Sequence, residues 1–221
     1  MASFQEDTMT RILFQGDSIT DMMRSREDEN QSGVGYPTLV KARLGHDHPG
    51  EYEFFNRGIG GNRITDVYAR IKSDIINLHP DCMSLLIGVN DMWQNWALKC
   101  GVDLDKFELI YDLLLEEVRE ALPDIKLMLM EPFLLRGFMT ENTEEIPHRF
   151  ETLRGLLTDY SAAVSRLARK HEAVFIPLQE RFDRASKSAK DTYWLYDGVH
   201  PTAMGAELIA RAWLEGFAQL K

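Results

Sequence analysis

The sequence predicts an α/β fold, a three-layer α/β/α sandwich around a central five-stranded parallel sheet. Five short apolar runs alternate with longer stretches in which apolar residues recur at helical spacing. Continuous apolar runs indicate strands buried on both faces, and the intervening helices indicate parallel strands joined by right-handed crossovers. The chain has 221 residues, 44% of them hydrophobic, so we expect a single domain spanning residues 1–221.

The predicted strands are short, and Gly, Pro, Asn or Asp bounds each one. They cover residues 11–14, 52–55, 82–87, 125–130 and 173–176. Four apolar stripes between or after them predict helices over residues 67–78, 107–122, 153–167 and 206–220. In a sheet of this kind ligands bind at the carboxyl ends of the strands, so the segments that follow strands are the candidate functional ones.

Charge and composition narrow the classes of partner. The net charge of −10 disfavours nucleic acid and anionic membrane surfaces, and no stretch is long and apolar enough to span a membrane. Residues 1–11 contain Glu6 and Asp7 and no apolar core, so we expect no signal peptide and a cytoplasmic protein. Two cysteines, Cys82 and Cys100, form neither a disulfide framework nor a metal cluster.

The first candidate segment is Gly16-Asp17-Ser18-Ile19-Thr20, which ends the first predicted strand. A serine on a tight turn after a strand presents its hydroxyl at the edge of the sheet, where it can act as a nucleophile. The alternative is that Asp17 or Ser18 only caps the next helix.

Two further segments follow the second and third strands. Residues 56–62 form a glycine-rich turn whose backbone N–H groups can approach a ligand closely. A dinucleotide-binding interpretation of this turn lacks its third glycine, because Arg63 stands there. After the third strand, Asn90 can donate a hydrogen bond to an oxyanion, or it can be an ordinary turn or cap residue.

The last segment is Asp197-Gly198-Val199-His200-Pro201. Asp197 can reach the His200 imidazole if the loop folds back. The sheet topology can bring all four segments to one edge, where together they supply a nucleophile, a base, an orienting acid and oxyanion donors. These are the parts that a serine hydrolase needs.

The same four segments resemble, in order, the sequence blocks of the SGNH (GDSL) hydrolases. The resemblance spans nearly the whole chain and implies a flavodoxin-like fold without metal or cofactor. It implies Ser18, Asp197 and His200 as catalytic residues, and Ser18, Gly61 and Asn90 as oxyanion donors. The closest resemblance within the family is to bacterial carbohydrate acetyl esterases of the acetylxylan esterase type. It is carried by residues 90–93, by Glu131-Pro132-Phe133 and by Tyr196-Asp197-Gly198-Val199-His200-Pro201.

The substrate expected from this resemblance is a small, acetyl-type ester on a carbohydrate such as xylo-oligosaccharide. Asp17, Trp93 and Trp194 are candidate substrate contacts, and the aromatic side chains near the site could equally be core or interface packing. A homo-oligomer is expected if such aromatic side chains are exposed. The alternatives are a lysophospholipase- or thioesterase-type acyl hydrolase, a non-catalytic carbohydrate-binding protein and a flavodoxin-like nucleotide-binding protein.

Overall fold

The computed structural model describes residues 9–220. Its strands are β1 Thr10–Gly16, β2 Tyr52–Asn56, β3 Cys82–Leu86, β4 Lys126–Met130 and β5 Val174–Ile176. Its helices are α1 Ser18–Asp21, α2 Tyr36–Asp47, α3 Ile64–Ala69, α4 Ile71–Asp74, α5 Val89–Leu98, α6 Leu104–Ala121, α7 Arg149–Lys170, α8 Gln179–Ala185, α9 Asp191–Trp194 and α10 Ala203–Phe217, with a 3₁₀ turn at Ile76–Leu78.

All five strands pair in parallel in the order β2-β1-β3-β4-β5, which confirms the predicted fold class and the five predicted strands. The strand β1 lies between β2 and β3. The three segments that follow these strands therefore meet at the carboxyl edge around the end of β1. This is the point where the chain order reverses direction across the sheet.

Successive side chains of β1 point to opposite faces of the sheet, and each face is buried in its own apolar cluster. Leu13 belongs to a cluster covered by α3 to α7, whereas Ile12 and Phe14 belong to one covered by α1, α2, α8 and α10. The continuous apolar composition of the strands follows from this burial on both sides.

Three of the four predicted helices are present as α6, α7 and α10. The prediction of one helix over residues 67–78 is wrong in its continuity, because α3, α4 and the 3₁₀ turn divide this segment. The first break lies at Arg70, between α3 and α4, where the backbone leaves the helical conformation at φ −112° and ψ 19°. Its guanidinium donates to the Arg57 carbonyl (2.9 Å) and to Gln15 Oε1 (2.8 Å), which ties this residue to the end of the sheet.

Within residues 9–220, none of the helices has the length and hydropathy needed to cross a bilayer. The expectation about a signal peptide concerns residues 1–11, of which residues 1–8 lie outside the described part of the chain.

Candidate active site

Ser18 stands just after the carboxyl end of the interior strand β1, as the first residue of α1. The preceding residue, Asp17, caps this short helix, and its Oδ1 accepts the Ile19 N–H at 2.9 Å. The capping alternative is therefore correct for Asp17. Ser18 itself is half-buried, and its hydroxyl forms a hydrogen bond with the His200 side chain.

The predicted serine, histidine and aspartate form one hydrogen-bonded row. Ser18 Oγ lies 2.9 Å from His200 Nε2, and His200 Nδ1 lies 2.6 Å from Asp197 Oδ2. The other carboxylate oxygen of Asp197 accepts the backbone N–H groups of Val199 (2.8 Å) and His200 (2.7 Å). The loop thus folds back on itself, and the aspartate and histidine three residues apart meet as the sequence predicted.

Local charge sets the protonation of this row. The hydrogen bond that His200 donates to Asp197 raises the pKa of the imidazole above its usual value and outweighs the opposing effect of burial. Burial raises the pKa of Asp197, but hydrogen bonds from the His200 side chain, the His200 backbone and the Val199 backbone together bring it below its usual value. Asp197 is therefore the ionised partner. It holds the proton on Nδ1, so that Nε2 is free to accept the Ser18 hydroxyl.

A loop after β4 holds the acidic end of this row. The Leu135 N–H donates to the Gly198 carbonyl (2.9 Å), and the Met139 N–H donates to the Asp197 carbonyl (3.0 Å). On the other side, the exposed Tyr196 ring stacks on the His200 imidazole, with ring centroids 5.8 Å apart and planes 20° apart. The histidine is thus fixed by Asp197 and covered on one face by an aromatic ring.

The glycine-rich loop after β2 rests directly on α1. The buried Asn56 joins the two, because its Nδ2 donates to the carbonyls of Thr20 (2.8 Å) and Ser32 (3.0 Å) while its Oδ1 accepts the Gly58 N–H (2.9 Å). A Cβ on Gly58 would lie 2.4 Å from the backbone nitrogen of Asp21, so a side chain has no room there. The close approach fixes the loop against the helix that carries Ser18.

The next two glycines pass beside Ser18. A Cβ on Gly60 would lie 3.8 Å from Ser18 Cβ, and Gly61 adopts a positive φ of +79°. The Gly60 N–H donates to Asp21 Oδ2 at 3.1 Å. Among the described residues, the Gly61 N–H has no hydrogen-bond acceptor, and neither has the Ser18 N–H. Of the two glycines, Gly61 is the one whose N–H remains available to a ligand.

The helix α5 closes the opposite side of the loop. Asn90, in its first turn, donates one Nδ2 hydrogen to the Asn62 carbonyl (3.1 Å) and keeps a second for another acceptor. Gln94 Nε2 donates to the Gly61 carbonyl (2.9 Å). The buried Asp91 accepts the Ile64 N–H (2.9 Å), and burial raises the pKa of its carboxyl to about 7.

Sequence reasoning missed Asp21 and Gln94 in this arrangement. Neither belongs to a recognisable motif. Each does stand one helical turn after a predicted site residue, Asp21 three positions after Ser18 and Gln94 four positions after Asn90. That spacing puts each pair on one helix face, and it is the signal that could have found them.

The candidate substrate contacts lie in different surroundings. Asp17 is 1% exposed, and burial raises the pKa of its carboxyl to about 7, so its burial does not support a contact with substrate. Trp93 is half-buried and packs edge-on against Trp96, with centroids 6.1 Å apart. Trp194 lines a surface cavity of about 460 Å³ with residues of α10. The structure brings none of the three into the hydrogen-bonded row.

The chain is similar to a family of known proteins over most of its length. The model of the GDSL-like Lipase/Acylhydrolase family matches residues 14–208. An acetylxylan esterase from Geobacillus stearothermophilus is 32% identical over 213 residues, which cover 92% of each chain.

Solved structures are similar over nearly the full length. A protein from Parabacteroides merdae described as GDSL-like lipase superposes with a TM-score of 0.87 at 32% identity, covering 95% of both chains. The crystal structure of the Geobacillus stearothermophilus acetylxylan esterase gives a TM-score of 0.79 at 31% identity, covering 94% of this chain and 93% of that one. An α/β hydrolase from the metagenome of Lake Arreo, Spain, gives 0.83 at 26% identity, covering 97% and 99%.

The family match over most of the chain, the full-length relative and the shared fold lead to one conclusion. The chain belongs to the GDSL-like lipase/acylhydrolase family and is a carboxylic ester hydrolase.

Proposed function

We propose that the protein hydrolyses short-chain esters, specifically acetyl groups carried by a carbohydrate such as xylo-oligosaccharide, through an acyl-Ser18 intermediate. The observation that carries the proposal is the hydrogen-bonded row of Ser18, His200 and Asp197. The acetyl and carbohydrate parts of the proposal rest on the full-length relative, which is an acetylxylan esterase.

In the proposed reaction, Ser18 Oγ attacks the ester carbonyl while His200 Nε2 takes its proton. The protonated imidazole is stabilised by Asp197, and it then gives the proton to the leaving alcohol. Water repeats the sequence on the acyl-Ser18 and releases the acid. The raised pKa of His200 suits this role, because a base must hold the proton in the transition state.

The proposed oxyanion donors are the backbone N–H groups of Ser18 and Gly61 and the side-chain amide of Asn90. The two backbone N–H groups lack acceptors among residues 9–220, and Asn90 has a spare amide hydrogen. Each donor of this type typically lowers the barrier by about 3 kcal/mol.

The surroundings of Ser18 favour a small acyl group. Gly60, on which a Cβ would lie 3.8 Å from Ser18 Cβ, and His200, which bonds to Ser18 Oγ, offer little apolar surface to a long acyl chain. The exposed Tyr196 ring beside His200 is a suitable platform for a sugar ring. Three further predictions belong to the same proposal. They are that Trp93 and Trp194 contact the sugar, that residues 1–221 form a single domain, and that the protein forms a homo-oligomer.

The test compares wild type with Ser18→Ala and Asn90→Ala on p-nitrophenyl esters of increasing chain length and on acetylated xylo-oligosaccharide. Ser188→Ala serves as the matched control, because Ser188 is an exposed serine that bonds only to the Ala185 carbonyl within the described chain. We expect Ser18→Ala to lose turnover, Asn90→Ala to lose about 100-fold or more in kcat, and the control to match wild type.

Wild type should release acetate from the oligosaccharide and lose activity sharply beyond short acyl chains. A preference for long acyl chains or acyl thioesters would replace the acetyl proposal with a lysophospholipase- or thioesterase-type activity. Full turnover by Ser18→Ala would overturn the acyl-enzyme mechanism, and binding of the sugar without turnover of any ester would favour a binding protein.

A further inference from the structure

We propose that Asp21 and Gln94 are positioning residues that set where the Gly61 N–H stands relative to Ser18 and Asn90. The inference deepens the proposed function and rests on it, since it concerns the same oxyanion hole. Neither side chain is expected to touch the substrate. Each one acts through the backbone of the glycine loop.

The loop needs such support because the peptide that bears the proposed donor has little of its own. Gly60 and Gly61 are both exposed, and a Cβ on Gly61 would have no atom within 4 Å. Two consecutive residues without side chains have a wide range of backbone conformations and no packing to restrict them. An oxyanion donor must nevertheless stand about 2.7–3.1 Å from the developing charge, and a misplacement of about 1 Å can cost about 100-fold in rate.

Two side-chain hydrogen bonds supply the missing support, one on either side of the Gly60–Gly61 peptide. Asp21 Oδ2 accepts the Gly60 N–H at 3.1 Å, and Gln94 Nε2 donates to the Gly61 carbonyl at 2.9 Å. Asp21 is itself held by Arg26, whose guanidinium nitrogens reach its two oxygens at 2.5 and 3.2 Å. The loop is therefore fixed at both ends of the donor peptide.

The helices that carry Asp21 and Gln94 are the same ones that carry two of the proposed oxyanion donors. Asp21 lies on α1, the helix that begins with Ser18, and Gln94 lies on α5, one turn after Asn90. The three proposed oxyanion donors come from three separate segments of the chain. Asp21 connects the loop to α1, which carries Ser18, and Gln94 connects it to α5, which carries Asn90. The two hydrogen bonds therefore fix the positions of all three donors relative to one another.

The test measures kcat and KM for p-nitrophenyl acetate in Asp21→Ala and Gln94→Met. Methionine is about as long as glutamine and also uncharged, but it cannot donate a hydrogen bond to the Gly61 carbonyl. Asp21→Asn is the conservative variant, because its amide oxygen can still accept the Gly60 N–H. Asn95→Leu is the matched control, since the Asn95 amide lies on the same helix but donates to Asp103 Oδ1 (2.8 Å) instead.

We expect kcat to fall about tenfold or more in Asp21→Ala and Gln94→Met, with KM within about twofold of wild type. Asp21→Asn should recover most of the loss, and Asn95→Leu should match wild type. All rates are divided by the concentration of active sites, titrated with a serine-directed fluorophosphonate, and melting temperatures are recorded alongside. A loss that disappears after this correction, or that follows the melting temperature, would overturn the positioning role.

Failure of this inference is distinguishable from failure of the proposed function. If Ser18→Ala and Asn90→Ala lose turnover while Asp21→Ala and Gln94→Met keep wild-type kcat, the hole exists and the positioning role is wrong. If Ser18→Ala keeps turnover, the proposed function itself is wrong.

Discussion

Replacing Asn56 by leucine should destabilise the fold by an amount that follows from its hydrogen bonds. Leucine has a similar volume but can neither donate nor accept. The change leaves the carbonyls of Thr20 and Ser32 and the N–H of Gly58 without their partner. An unsatisfied buried group costs about 1–3 kcal/mol, so three of them imply a loss of about 3 kcal/mol or more in the free energy of unfolding.

The assay is urea unfolding at pH 7, followed by circular dichroism and tryptophan fluorescence. Asn77→Leu is the control, because Asn77 is an exposed asparagine on the 3₁₀ turn and its replacement should change the free energy by less than about 0.5 kcal/mol. Domains of ordinary stability would survive the loss at room temperature, so kcat can also be measured. It should fall, since Asn56 joins the glycine loop to the helix that begins with Ser18. A destabilisation below about 1 kcal/mol would refute the reasoning.

Two further predictions concern pH dependence, one through His200 and its partner Asp197 and the other through Asp17. In wild type, the acidic limb of kcat/KM should have its midpoint above the usual histidine value, because His200 acts as a base only above its raised pKa. Asp197→Asn removes the main cause of that shift, so the His200 pKa measured by NMR should fall and kcat should drop about 10,000-fold; an unchanged pKa would contradict the assignment. The pKa of Asp17 is about 7 in the folded protein and near 3.8 in the unfolded chain, so the folded state binds this proton more tightly. The free energy of unfolding of wild type should therefore fall as the pH rises from about 4 to about 7. Asp17→Asn keeps an acceptor for the Ile19 N–H and carries no charge, so its melting temperature relative to wild type should increase over this range; a constant difference would count against the raised pKa.

The fold could be predicted because burial on both faces of a parallel sheet leaves a strong trace in the sequence. Leu13, for example, faces one cluster while Ile12 and Phe14 face the other, and all three are apolar as a result. The hydrogen-bonded row was also within reach, since serine, aspartate and histidine each stand in a short segment after a strand or before a helix. Parallel topology brings such segments to one edge.

The rest depends on contacts that local patterns do not encode. The helix predicted over residues 67–78 is interrupted at Arg70, whose side chain bonds to Arg57, 13 positions before it, and to Gln15, 55 positions before it. The same holds for Asp21 and Gln94, whose partners are backbone groups 39 and 33 positions away. The distant partners leave no mark in the local pattern, so the helical spacing of Asp21 from Ser18 and of Gln94 from Asn90 is the trace that the sequence retains.

The hydrogen bond between Ser18 and His200 joins residues 182 positions apart, and this separation has a consequence during synthesis. Ribosomes add about 5–20 residues per second, so Ser18, Gly61 and Asn90 leave the exit tunnel well ahead of the histidine, with an interval of about 10–35 s between Ser18 and His200. A nascent chain therefore carries its nucleophile segment for many seconds without the imidazole that would activate it. Likewise, a protease that cuts between α9 and Asp197 would leave the serine and the glycine loop intact and still break their covalent connection to the histidine.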